Sequence, residues 1–192
     1  MDAYVDMYNS LPTLGDADDR FFQRDVVFEK LAPLLSNYNN QFGVCLIHSH
    51  CELKEGEKMV QRGNICQPEE SNTDPHYPIR WLDNGIPYEF TTETTPSPPA
   101  QLIADFKSIV GDIGVLGLYF AGMSAGIELE RTEGRKNITM VVPDIAPGNV
   151  ETAWLPGTKD PVQMACIIVC EATPTRRAQA HTGQKNHHDV PR

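Results

Sequence analysis

The sequence is short of the features that mark most specialised protein classes. No window approaches the roughly 18 to 20 consecutive apolar residues that a membrane helix needs. The opening residues, MDAYVDMYNSLPTLGDADDR, are acidic and carry neither a basic region nor an apolar core, so they do not read as a signal peptide. No basic run exceeds Arg176-Arg177, and 26 Asp plus Glu stand against 16 Lys plus Arg, a formal charge of −10. That balance repels polyanions and argues against nucleic acid or an anionic membrane surface as partner. There is no Walker loop, dinucleotide fingerprint, zinc finger or EF-hand loop, no internal repeat, and no CxxC pair. The five cysteines (Cys45, Cys51, Cys66, Cys166, Cys170) form an odd set. Without a secretory signal they are expected to be reduced, and the sequon Asn137-Ile138-Thr139 to stay silent. The expectation is a cytoplasmic protein whose partner is a small-molecule substrate or ligand, or another protein chain, including a second copy in a homo-oligomer.

What is there is ordinary for a folded domain: 192 residues, 40% apolar and 22% charged. Residues 1–172 read as one globular domain and residues 173–192 as a polar C-terminal tail. Residues 1–15 suggest an extended lead-in. A helix is expected from Asp16 or Asp18 to about Ser36, because Phe22, Val26, Val27, Phe28, Leu31 and Leu35 recur near helical spacing. Pro33 would kink or end it. Strands are expected over 42–53 and 57–62, joined through Lys54-Glu55-Gly56 as a hairpin. The turn-rich stretch 63–100, which contains HYPIRWLDNGIPYEF, reads as a long surface loop. A second helix starts near Ser97 and ends at Gly111, followed by strand-like runs at 113–121, 127–131, 137–142, 150–155 and 164–171. Strands in runs, rather than alternating with helices, point to an α+β fold. The expected architecture is a mainly antiparallel sheet, a sandwich or small barrel, with about two flanking helices.

The stretch FGVCLIHSHCEL, residues 42–53, carries the chemistry. On a strand, side chains alternate between faces, so Val44, Leu46, His48, His50 and Glu52 would share one face. Two imidazoles about 6 to 7 Å apart along a strand can converge on one ion. With one carboxylate they make a two-histidine, one-carboxylate set with open positions for substrate. Glu52 has the right face for that carboxylate, and Glu55 is the competing candidate. Cys45, Cys166 and Cys170 lie in apolar runs and read as core residues. Arg80 or Arg131 could pair with an anionic substrate, although nothing in the sequence singles either out.

Gly43, His48, His50, Glu55 and Gly63 together resemble the first metal-binding motif of cupins, over about twenty residues, with two gaps one residue off the pattern. Cupins supply a further histidine from a second motif, whereas PDIAPGNVETAW at 143–154 has the turn but no histidine. The resemblance therefore implies that another ligand comes from His76, or from His181, His187 or His188 near the end. The chain as a whole also resembles proteins of filamentous fungi, a likeness that implies no activity.

A competing signal is Gly122-Met123-Ser124-Ala125-Gly126, which matches the nucleophile elbow of α/β-hydrolases, with Asp144 or Asp160 and then His181 in the required order. The helix that should follow the serine is not evident in IELERTEGRKN. The leading expectation is thus a histidine-lined pocket holding one divalent metal, iron, manganese, zinc or nickel. It would act as an oxygenase, isomerase or lyase on a small organic molecule. His48, His50, His76 and His181 are the candidate ligands, and Glu52 and Glu55 the candidate catalytic carboxylates. A metal-free binding or interaction domain, and a serine hydrolase using Ser124, are the alternatives.

Overall fold

The computed structural model describes residues 2–71, 74–122, 126–157 and 163–171. Two short helices, α1 (Ala3–Asn9) and α2 (Leu14–Arg20), precede a longer α3 (Arg24–Ser36). Asp2 and Thr13 start the first two, each side-chain oxygen accepting a backbone N–H of the first turn. The expected lead-in is therefore helical, and the expected single helix over 16–36 breaks at residues 21–23. Its break frees Phe21 to pack against Phe28 and Trp154. Pro33 sits inside α3 without ending it.

Five strands follow: β1 (Phe42–Leu46), β2 (Glu57–Arg62), β3 (Ile65–Glu70), β4 (Tyr77–Trp81) and β5 (Pro87–Thr91). After α4 (Ala100–Val110) come β6 (Leu116–Phe120), β7 (Ile127–Glu133), β8 (Lys136–Val142), β9 (Val150–Pro156) and β10 (Met164–Cys170). They close into one barrel in the order β1-β6-β4-β5-β2-β3-β8-β7-β10-β9, with β9 returning to β1. The β2–β5 and β7–β10 pairs are parallel and the others antiparallel. This corrects the expected α+β sheet with about two flanking helices: among the described residues the fold is a closed, mixed ten-stranded barrel carrying four helices.

Two further expectations fall here. The stretch 63–100 is not a loop; it supplies β3, β4 and β5. Strands tolerate its prolines by position: Pro87 opens β5, and Pro78 borders an irregularity in the β4–β5 ladder. Nor do 42–53 and 57–62 form a hairpin. β1 pairs instead with β6 and β9, while β2 pairs with β3 and β5.

The barrel has an apolar coat over part of its outside. Val44, Leu46, Leu116, Leu118 and Trp154 pack against Leu14, Leu31, Leu35, Leu102 and Phe106 of the helices. Burying a leucine or valine side chain contributes about 1.5–3 kcal/mol, so this layer is a main source of stability. The opposite face of β1 points inward, with Cys45 beside Tyr119 and Ala153, and just past the strand Ile47 lies beside Met59 and Tyr88. α1 covers the end where β1 finishes, placing Val5 and Tyr8 against that inner cluster. No helix among the described residues is long and apolar enough to cross a membrane.

Candidate metal centre

β1 stops at Leu46, and the chain leaves the ladder before the two histidines. Ile47 N–H donates to the Val115 carbonyl and Ser49 N–H to the Pro12 carbonyl, so 47–49 wraps across the barrel end. The strict alternation expected over 42–53 is therefore broken. Val44 and Leu46 face the outer helices, whereas His48 and His50 are buried among polar residues of the barrel. Their rings meet edge to face with centroids 4.7 Å apart.

The residues facing His48 come from neighbouring strands. Cys170 on β10 stands opposite Glu130 on β7 in the parallel pair, and its Sγ lies 3.3 Å from Glu130 Oε2. His48 Nε2 lies 3.5 Å from Cys170 Sγ. One ligand atom from each of His48, Glu130 and Cys170 falls within 4.8 Å of the other two. These side chains belong to residues only 1%, 4% and 2% exposed, so the group is closed to bulk water. This nitrogen, oxygen and sulfur set could hold a metal ion. On its far side His48 Nδ1 lies 2.8 Å from the Leu46 carbonyl oxygen. A carbonyl only accepts, so Nδ1 carries a proton, and Nε2, once it gives up its own, turns a lone pair toward the group.

A buried cation ties this group to a second carboxylate. Arg80 on β4 pairs through its Nη2 with Glu130, and through Nε with Glu89 on β5 at 3.2 Å, the two residues being register partners. Burial opposes ionisation of Glu130, but Arg80 and His48 outweigh it and hold its pKa below the ordinary range. Glu89 goes the other way. Burial, reinforced by repulsion from Glu130, exceeds the help from Arg80 and raises its pKa to about 7. Burial and the Glu130 charge push the Cys170 thiol well up, so without a cation beside it the sulfur keeps its proton.

His50 stands beside the group, outside the three-ligand set. Its Nε2 is 3.6 Å from Glu130 and 3.7 Å from Glu89. Asn137 Nδ2 lies 3.4 Å from the same nitrogen, and Thr132 Oγ1 lies 3.5 Å from Nδ1. Its backbone N–H donates to the Tyr8 hydroxyl, so α1 helps hold it. Asn137, the sequon asparagine, is thus buried against His50.

The other expected residues lie elsewhere. Glu52 and Glu55 are exposed, and Glu52 offers only its carbonyl oxygen, to Arg135. His76 is partly buried at the start of β4, outside the group. His181, His187, His188, Ser124 and Asp160 lie outside the described residues, and Asp144 is exposed. The five cysteines are free, and Cys170, expected as plain core, is the sulfur of the group.

Sequence reasoning missed Glu130 and Glu89, and it named Arg80 only as a cation for an anionic substrate, whereas Arg80 is engaged by these two buried carboxylates. A signal for Glu130 existed in IELERTE, where Leu129 and Glu130 must face opposite ways. Leu129 packs on the helix-covered outside, which turns Glu130 inward. Comparison with protein families, curated proteins and solved structures finds no match for this chain.

Proposed function

We propose that this barrel binds one divalent metal, zinc in the first instance, through His48 Nε2, the Glu130 carboxylate and the Cys170 thiolate. The carrying observation is the convergence of these three buried donors, with the Nδ1 of His48 already committed to a backbone carbonyl. Charge is compatible with it: a dication with ionised Cys170, Glu130 and Glu89 and with Arg80 sums to zero, as does the empty set with Cys170 and Glu89 protonated. Three protein donors leave a coordination position for water or substrate, the arrangement of catalytic zinc sites. Bound there, the metal would supply Lewis-acid activation to a small molecule. Arg80 orients Glu130, and His50, next to both carboxylates, is placed to hold or pass a proton.

A second reading is favoured by one observation: the thiol of Cys170 lies within hydrogen-bond reach of Glu130, whose charge Arg80 already balances. On that reading the network is a metal-free polar core inside a binding or interaction domain. Elemental analysis of the purified protein separates the two. The metal reading predicts about one equivalent of metal, lost in His48→Ala and in Cys170→Ala but retained in His50→Ala. No metal in the wild type after loading, or equal retention in all variants, contradicts it.

A further inference from the structure

The lumen of the barrel is a pit with one open end. α1 covers the end where β1 finishes, and a cavity of ≈ 300 Å³ opens at the other, beside Phe120, Ala121 and Gly122. Phe42 at the start of β1 stands opposite Phe120, which fixes the two ends. Gly63, Glu93 and Gly122 of the lining are exposed, whereas Arg80 and Glu130 are buried. The cavity therefore runs from the surface down to the Arg80–Glu130 ion pair beside the candidate metal group. Its volume is at the lower limit for small-molecule sites.

Arg80 sets what would fit. A guanidinium carries five N–H donors on three nitrogens and accepts nothing. Nε faces Glu89 at 3.2 Å, and Nη2 pairs with Glu130. Nη1 has no protein partner among the described residues. Unlike Glu89 Oε1, which is unpartnered and sealed from water, it is not a closed-off atom, so it is the end of the guanidinium that the cavity reaches. The charge of Arg80, in contrast, is already met by Glu130, which is held ionised. What is open at the bottom of the pit is a pair of N–H donors rather than an unbalanced cation. A carboxylate guest would add a second anion to a buried pair that is already balanced, at a desolvation cost. A neutral oxygen acceptor avoids that cost and still takes the hydrogen bonds. Ile79, Phe120 and Ile168 supply apolar wall beside it.

We infer that this cavity binds a small uncharged carbonyl compound, such as an amide, whose oxygen accepts from Arg80 Nη1 and whose apolar part lies against Ile79, Phe120 and Ile168. This goes beyond the metal reading and does not need it, because the cavity and the open nitrogen are there with or without an ion.

The test is calorimetric titration of metal-stripped protein with three probes of one shape: benzamide, thiobenzamide and benzoate. Benzamide is expected to bind tightest. Thiobenzamide loses affinity because sulfur is the weaker acceptor, and benzoate because of its charge. Arg80→Lys keeps a cation for the two glutamates but removes Nη1, and should weaken benzamide by about tenfold. A check that needs no variant comes from the wild type, where the ring protons of bound benzamide should give nuclear Overhauser contacts to the Ile79 and Ile168 methyl groups. No benzamide binding at millimolar concentration overturns the inference, as does binding without those contacts. Benzoate or thiobenzamide binding as tightly as benzamide overturns it, and so does undiminished binding by folded Arg80→Lys. Repeating the titration on zinc-loaded protein separates this from the metal reading. Binding by the stripped protein supports the cavity site even if no metal is ever found. Binding that requires zinc contradicts the inference by placing the oxygen on the ion.

Discussion

At the scale of single residues, Arg80 decides the character of the interior. It is a buried cation shared by two buried glutamates that respond in opposite directions, Glu130 held ionised and Glu89 pushed up to about 7. The consequence for stability follows from linkage. Glu89 binds its proton more tightly folded than unfolded, so its contribution is full below its ordinary pKa of 4.5 and is lost as pH rises through about 7. Glu89→Gln stays neutral throughout. The stability of this variant relative to wild type, from urea unfolding across the range, should therefore be flat below pH 4 and rise steadily between pH 5 and 8. A pH-independent difference contradicts the assignment. At this scale the sequence was half legible. The histidines stand out as a spaced pair, and one of them does join the ligand group. The carboxylate and the sulfur do not stand out, because each lies in an unremarkable strand and meets His48 only through pairing between β7 and β10.

At the scale of elements, burial periodicity located α4 and the strands β6 to β10 to within a few residues, because their apolar runs are long and bounded by glycine or polar turns. It failed for β3 to β5, where proline and exposed polar residues hide the pattern. It also failed for β1, which was extended past Leu46 although the chain turns across the barrel end there. Periodicity carries no information about where a strand stops pairing. β1 further depends on close approach: Gly43 lies against the Tyr119 ring on β6 and the Trp154 carbonyl on β9. Gly43→Ala should cost about 1–3 kcal/mol, as overpacked cores do. The measurement is the unfolding midpoint in urea, which should fall. Unchanged stability would show that the two strands can part without strain.

At the scale of the whole molecule, closure is what makes a site. β1 pairs with β6 and β9, and β10 pairs with β7 and β9, so residues 48, 130 and 170 meet only once the barrel is shut. These are non-local pairings between segments whose sequences do not announce their partners, which is why the barrel order and the ligand group were not readable beforehand. Among the described residues, the closed ladder leaves no unpaired strand edge. It also reverses the common arrangement of a single apolar core, with helices covering apolar strand faces outside and a charged network within. The central claim is that this network is built around a metal held partly by sulfur. Substitution with cobalt(II) tests it most directly, because only a coordinated thiolate gives the intense near-ultraviolet sulfur-to-cobalt charge-transfer band. The account predicts that band at one equivalent of cobalt in the wild type and in His50→Ala, and its disappearance in Cys170→Ser. Failure to bind cobalt, or a bound ion whose spectrum does not change in Cys170→Ser, would contradict it.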